Sequence, residues 1–158
     1  MAEPKAEEYD RLAAQLAGLL VGESGFVTNA ANAAALIYRG LPDLNWAGFY
    51  VVEGDELVLG PFQGEPACTR IALGRGVCGT CAERRETVVD DDVHDFPGHI
   101  ACDNASNSEI VVPLIDGERL IGVLDLDSPT VGRFDADDAA GLEKLVGVFL
   151  ENTDTSGS

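Results

Sequence analysis

Two hydrophobic periods alternate along the chain. From Glu7 to Leu20 apolar residues fall at Leu12, Leu16, Leu19 and Leu20, the spacing of a helix with one buried stripe. Gly22 fits its stop. A second, alanine-rich helix is predicted from Asn29 to Tyr38, ended by Gly40-Leu41-Pro42. The period then changes to two. Trp46 to Val52 and Glu56 to Gly60 read as strands joined by the turn Glu53-Gly54-Asp55, a hairpin signal. Cys68 to Leu73 reads as a third strand, Cys78 to Arg84 as a short helix after the turn Gly74-Arg75-Gly76-Val77-Cys78-Gly79, and Thr87 to Val89 as a short strand. Asp90 to Asn107 has no period, and unpatterned loops of that length in compact domains are functional or disordered. Glu109 to Ile115 and Arg119 to Asp127, around the turn Asp116-Gly117, form a second predicted hairpin. Phe134-Asp135 leads into a last helix, Ala136 to Leu150, with Leu142, Leu145, Val146 and Phe149 on one face.

This order predicts an α+β fold: one mostly antiparallel central sheet, with helices N-terminal to it and one closing helix. A chain of 158 residues suits one domain, placed at 5–151, and the polar stretch 152–158 is expected to be disordered. The net charge of −18 repels nucleic acid and anionic membrane and reads as a solvated acidic surface suited to high salt. No apolar run is long enough to span a bilayer. Met1-Ala2-Glu3-Pro4-Lys5 lacks the basic-then-apolar pattern of a signal peptide, so a cytoplasmic location is expected. There the cysteines Cys68, Cys78, Cys81 and Cys102 are core fillers, metal ligands or redox groups rather than structural disulfides.

The chemistry concentrates between Gly98 and Leu114. Cys102 stands in a polar loop that turns abruptly into the β-branched run Ile110-Val111-Val112, with Glu109 at the strand mouth. A small molecule can reach a cysteine held on such a loop. Asp125 and Asp127 alternate on one strand and so share a face. Carboxyls crowded together cannot all ionise; one stays protonated and can donate a proton, while another can bind an ammonium. Gly74-x-Gly76 before a helix offers free N–H groups to a carboxylate. Trp46 and Tyr50, an even number apart, can wall a pocket. His94 and His99 flank the cysteine loop, where histidines more often hold a loop through hydrogen bonds.

The motifs Asn45-Trp46-Ala47-Gly48-Phe49-Tyr50, Gly60-Pro61-Phe62-Gln63-Gly64, Gly74-Arg75-Gly76-Val77-Cys78-Gly79-Thr80, Phe96-Pro97-Gly98-His99-Ile100-Ala101-Cys102-Asp103, Ser106-Asn107-Ser108-Glu109-Ile110-Val111 and Gly122-Val123-Leu124-Asp125-Leu126-Asp127-Ser128 together resemble the free methionine-(R)-sulfoxide reductases, a family of single GAF domains. The resemblance runs from about Glu7 to Leu150. It implies that Cys102 is the catalytic cysteine and that Cys68 and Cys78 recycle it. Glu109, Asp125 and Asp127 would face the amino group and sulfoxide oxygen, and Trp46 and Tyr50 the methyl-sulfur end. Cys81 departs from the pattern, standing where a small apolar residue is expected. The implied partners are free methionine-(R)-sulfoxide and an external thioredoxin-type dithiol, with no bound cofactor and no metal. Pairing of two copies through terminal helices is a further implication.

On that expectation a thiolate attacks the sulfoxide sulfur, Cys102 becomes a sulfenic acid, and a second thiol condenses with it to a disulfide. Cys68, expected at the pocket rim, is the first partner. Cys78, with a thiol pKa lowered at a helix start, is a second route, and Cys81 is dispensable. Two rivals remain open. A GAF sensor would bind a small ligand without turnover. A metal site from Cys78, Cys81, Cys102 and a histidine is disfavoured, because Cys-x-x-Cys without a second pair is a poor zinc pattern.

Overall fold

The computed structural model of the chain describes residues 4–95 and 106–156. In chain order these form α1 (Lys5–Leu20), α2 (Phe26–Gly40), β1 (Trp46–Glu53), β2 (Glu56–Gly64), β3 (Arg70–Ala72), α3 (Gly76–Arg84), β4 (Val88–Asp90), a 3₁₀ turn at Val93–Asp95, β5 (Ser108–Asp116), β6 (Arg119–Ser128) and α4 (Ala136–Glu151). The strands make one antiparallel sheet in the order β3-β2-β1-β6-β5-β4. The predicted α+β class is the observed one. Both hairpins close through two residues, and Gly54 and Gly117 supply the positive φ of 65° that such turns need.

Each face of the sheet has its own core. α1, α2 and α4 cover one face, where Leu12, Leu16, Ile37, Leu142 and Phe149 pack on Ala47, Phe49, Ile110, Val112, Leu124 and Leu126. The other face carries α3 and a smaller cluster: Trp46, Tyr50, Leu57, Ile71, Val77, Cys81, Val111 and Val123. Strand alternation divides the two sets, since successive side chains point to opposite faces.

Several elements start elsewhere than their patterns predict. α1 begins at Lys5 behind Pro4, whose φ of −56° suits a helix entry. Leu19, expected in its stripe, is 49% exposed, and Tyr9 and Ala13 complete the buried face instead. Cys68 lies outside β3, because pairing with β2 stops where the Leu59 amide reaches the Thr69 carbonyl at 2.9 Å. α3 starts at Gly76, so Cys78 sits inside its first turn rather than opening it. The stretch read as loop contains the 3₁₀ turn. Residues 152–156, expected to be disordered, are docked: Thr155 is buried, its hydroxyl donating to Asp116 at 2.7 Å while its carbonyl accepts from Arg119 at 2.9 Å.

The α1–α4 seam is closed by a buried polar lock. Asp135 and Asp138 form a capping box at the start of α4. The Asp138 carboxylate also accepts from the Tyr9 hydroxyl at 2.7 Å and the Lys5 ammonium at 2.7 Å. Arg133 adds an ion pair at 3.4 Å and reaches the Pro42 carbonyl at 3.0 Å. The Tyr9 ring lies directly on Gly141, where a Cβ would collide with it. Gly141→Ala is therefore expected to destabilise the fold by about 1–3 kcal/mol, the usual cost of overpacking. The gain in helix propensity is smaller, ~1 kcal/mol. Urea denaturation checks this; a stabilised variant would mean that the seam yields freely.

Candidate active site

The pocket on the α3 face follows from register. On β1 the even positions Trp46 and Tyr50 face α3, while Ala47 and Phe49 face the helical core. On β6, Leu124 and Leu126 enter the helical core, which turns Asp125 and Asp127 to the α3 side. On β5, Ile110 and Val112 do the same for Glu109. The ladder aligns these positions across three strands: Asp127 sits between Trp46 and Glu109, and Asp125 between Gly48 and Val111. The cavity they line contains about 570 Å³ of empty space including its open mouth.

Its aromatic wall is tightly held. The Trp46 and Tyr50 rings stack with centroids 6.0 Å apart, and Phe62 backs Trp46 at 5.2 Å. The Trp46 indole N–H donates to the Glu65 carbonyl at 3.0 Å, and the Tyr50 hydroxyl donates to the Cys68 carbonyl at 3.0 Å. Buried polar tips thus find partners, and the second bond ties the Cys68 backbone to the wall. Gly48 leaves the room that the Trp46 ring fills, since a Cβ there would meet that ring at 2.7 Å.

Facing the aromatics is a buried acidic strip. Glu109, Asp125 and Asp127 are at most 9% exposed. Burial pushes the Asp125 carboxyl well above the usual carboxylate range, and the Asp127 charge raises it further. Glu109 is raised in the same way, by burial first and then by the Asp125 charge. One Asp125 oxygen, Oδ1, is buried with no hydrogen-bond partner, an arrangement that calls for a ligand or a water. Both desolvated carboxyls are thereby shifted toward the protonated form, the one that can donate.

The cysteines separate. Cys68 lines the cavity, half-buried, and is disulfide-bonded. Cys78 and Cys81 are free, buried thiols. Cys78 lies on the cavity wall with its sulfur 3.7 Å from Glu109 Oε2. The expected lowering of its pKa is overturned: burial raises the thiol, and the charges of Asp125, Glu109 and Asp127 raise it further. A helix dipole is worth little against that surrounding. Cys81 is fully buried among apolar side chains, and burial raises its thiol too. Cys102, the expected reacting cysteine, and His99 lie outside the described residues.

α3 opens at the cavity with no side-chain cap; Gly76, at φ +63°, Val77 and Cys78 all line it. The N–H groups of a helix's first turn lack intrahelical partners, so this end suits an anion. Sequence patterns alone did not single out Ile71, Arg75, Val93 and Ser106, which also line the cavity. Arg75 is the one cationic side chain among these described lining residues. Its place beside Gly76 in the glycine turn was a signal for it. His94 bonds the Asn107 side chain, just before β5, at 3.1 Å.

Known proteins resemble this chain over most of its length. A GAF domain model matches residues 27–149. The free methionine-R-sulfoxide reductase of Escherichia coli is 54% identical over 142 residues, covering 90% of this chain and 86% of that protein. The reductase of the same name from Saccharomyces cerevisiae is 46% identical, covering 89% and 83%. The X-ray structure of free methionine-R-sulfoxide reductase from Neisseria meningitidis in complex with its substrate superposes with a TM-score of 0.93 at 44% identity, covering 99% of this chain and 95% of that one. The chain belongs to the GAF domain family and, within it, to the free methionine-R-sulfoxide reductases.

Proposed function

We propose that this oxidoreductase converts free L-methionine-(R)-sulfoxide to L-methionine with Cys102 as the attacking thiolate. The observation that supports this most is the cavity itself: an acidic strip opposite stacked aromatics, with Cys68 on its wall. The aromatic pair receives the methyl-sulfur end. The acidic strip receives the ammonium and protonates the sulfoxide oxygen, and the Gly76 end of α3 receives the carboxylate.

In the first step the Cys102 thiolate attacks the sulfoxide sulfur while a protonated carboxyl gives its proton to the oxygen. The oxygen passes to the cysteine, methionine leaves, and Cys102 is a sulfenic acid. Cys68 then attacks that sulfur, water departs, and a Cys68–Cys102 disulfide forms. In support, Cys68 is disulfide-bonded while Cys78 and Cys81 are free. An external dithiol of thioredoxin type supplies the two electrons that restore both thiols. No bound cofactor enters the cycle. A cytoplasmic setting, where such dithiols are kept reduced, fits it; among the described residues no helix is long and apolar enough to cross a membrane.

Cys102→Ser is expected to abolish methionine release while leaving the circular dichroism spectrum unchanged. Peptide mapping of wild-type protein oxidised by substrate without reductant is expected to give Cys68–Cys102 as the main bridge. Turnover in the variant, or a dominant bridge through Cys78 or Cys81, would count against the relay.

A second expectation concerns substrate size. An N-acetylated, C-amidated methionine sulfoxide lacks both charges that the acidic strip and the helix end would hold. Each charged hydrogen bond is worth about 1.5–3 kcal/mol, so the blocked compound should react on the order of a hundredfold more slowly or worse. Equal kcat/KM values on free and blocked sulfoxide would rule out recognition of the two ends.

The acidic strip also makes stability depend on pH. Asp125 binds a proton more tightly folded than unfolded, so the folded state holds more protons than the unfolded one between the two pKa values. Stability then falls as pH rises through the ordinary carboxylate range toward the raised folded pKa. Asp125→Asn removes this contribution. Compared by urea denaturation at pH 5 and pH 8 and constant ionic strength, the substrate-free variant should lose less stability than wild type. Parallel losses would show that Asp125 is ionised in the empty site.

A further inference from the structure

Three potential metal ligands converge in the cavity: Cys78 Sγ, a Glu109 oxygen and an Asp125 oxygen lie within 4.8 Å of one another. They come from different elements, α3, β5 and β6, each fixed by packing. A second, independent observation points at a ligand here. Asp125 is 5% exposed, lines the cavity, and has one oxygen buried with no hydrogen-bond partner. Acidic clusters are commonplace in a chain of net charge −18; a thiol and two buried carboxyls facing one another are not.

We propose that this pocket is also a binding site for a single thiophilic divalent cation of the zinc and cadmium class, coordinated by Cys78, Glu109 and Asp125, and that the bound ion excludes the substrate. The donor set of one sulfur and two carboxylate oxygens suits such a cation better than magnesium or calcium, which take oxygen alone. Zinc holds its ligand atoms roughly 3.5 Å apart, so the triad closes by about an ångström around it. A water on the cavity side fills the fourth position, as in zinc sites with three protein ligands. Coordination releases to solvent the thiol proton and any proton held by the two carboxyls, and moves no electron. The ion lies on the acidic strip, where a cationic group of a ligand would otherwise sit, so both cannot be held at once. The Cys78-x-x-Cys81 pair does not form the site, because Cys81 points into the apolar core and takes no part.

The test uses Cys68→Ser/Cys102→Ser protein, which leaves Cys78 and Cys81 as its thiols, reduced and freed of reductant. Cadmium titration, followed by the ultraviolet cadmium–thiolate charge-transfer band, is expected to saturate at one equivalent. Adding Cys78→Ser should remove the band. Adding Asp125→Asn instead should weaken binding roughly tenfold or more, as loss of even an outer-shell partner does. Circular dichroism confirms that each variant is folded. In wild-type protein, zinc should raise the apparent KM for the sulfoxide with kcat unchanged, and free methionine should weaken cadmium binding. A band that survives Cys78→Ser, or affinity indifferent to Asp125→Asn, would overturn the proposal. The spectroscopic arm stands whether or not the reduction proposed above is correct.

Discussion

The register of β1, β6 and β5 is the constraint on which the rest depends. Side chains alternate with a period of two, so one ladder decides both faces of the sheet. With Trp46 opposite Asp127 and Asp127 opposite Glu109, Leu124, Leu126, Ile110 and Phe49 enter the helical core. A slip of one residue would drive the carboxyls into that core and turn the leucines into the cavity. The large apolar core under α1, α2 and α4 therefore does more than stabilise the fold. It holds three carboxyls on the opposite face, where they cost stability and offer chemistry.

Much of this was legible because it is local. The two hairpins, the closing helix after Phe134-Asp135, and the shared face of Asp125 with Asp127 and of Trp46 with Tyr50 follow from period and turn residues within one segment. What was not legible depends on partners distant in sequence. That Glu109 falls beside Asp127 is a matter of cross-strand register, which no single strand announces. Cys68 reads as strand because Ile71 and Leu73 follow it, yet the ladder with β2 stops at Thr69. Residues 152–156 read as a free polar tail, and only the β5–β6 turn supplies the Asp116 carboxylate and Arg119 guanidinium that dock Thr155.

Cys78 shows the same limit in its chemistry. A helix start, taken alone, lowers a thiol pKa. Nothing near Cys78 in the sequence says that the helix end is buried against Glu109 and Asp125, where an additional negative charge is unfavourable. Local context thus gave the wrong sign, and the cross-sheet contact decided it.

That sign has a consequence for how work can be divided in the pocket. Desolvation and neighbouring negative charge both favour the protonated form of a carboxyl. The same conditions disfavour a thiolate, so a reactive thiol is better placed outside the acidic strip. The fold keeps them apart: Glu109 and Asp125 lie in the dry strip with Cys78, whereas Cys68 is half-buried on a wall held by the Tyr50 hydroxyl. In the proposed relay, the resolving thiol is therefore the one outside the acidic strip. Cys78 becomes a competent nucleophile, or a metal ligand, only when positive charge enters the cavity beside it.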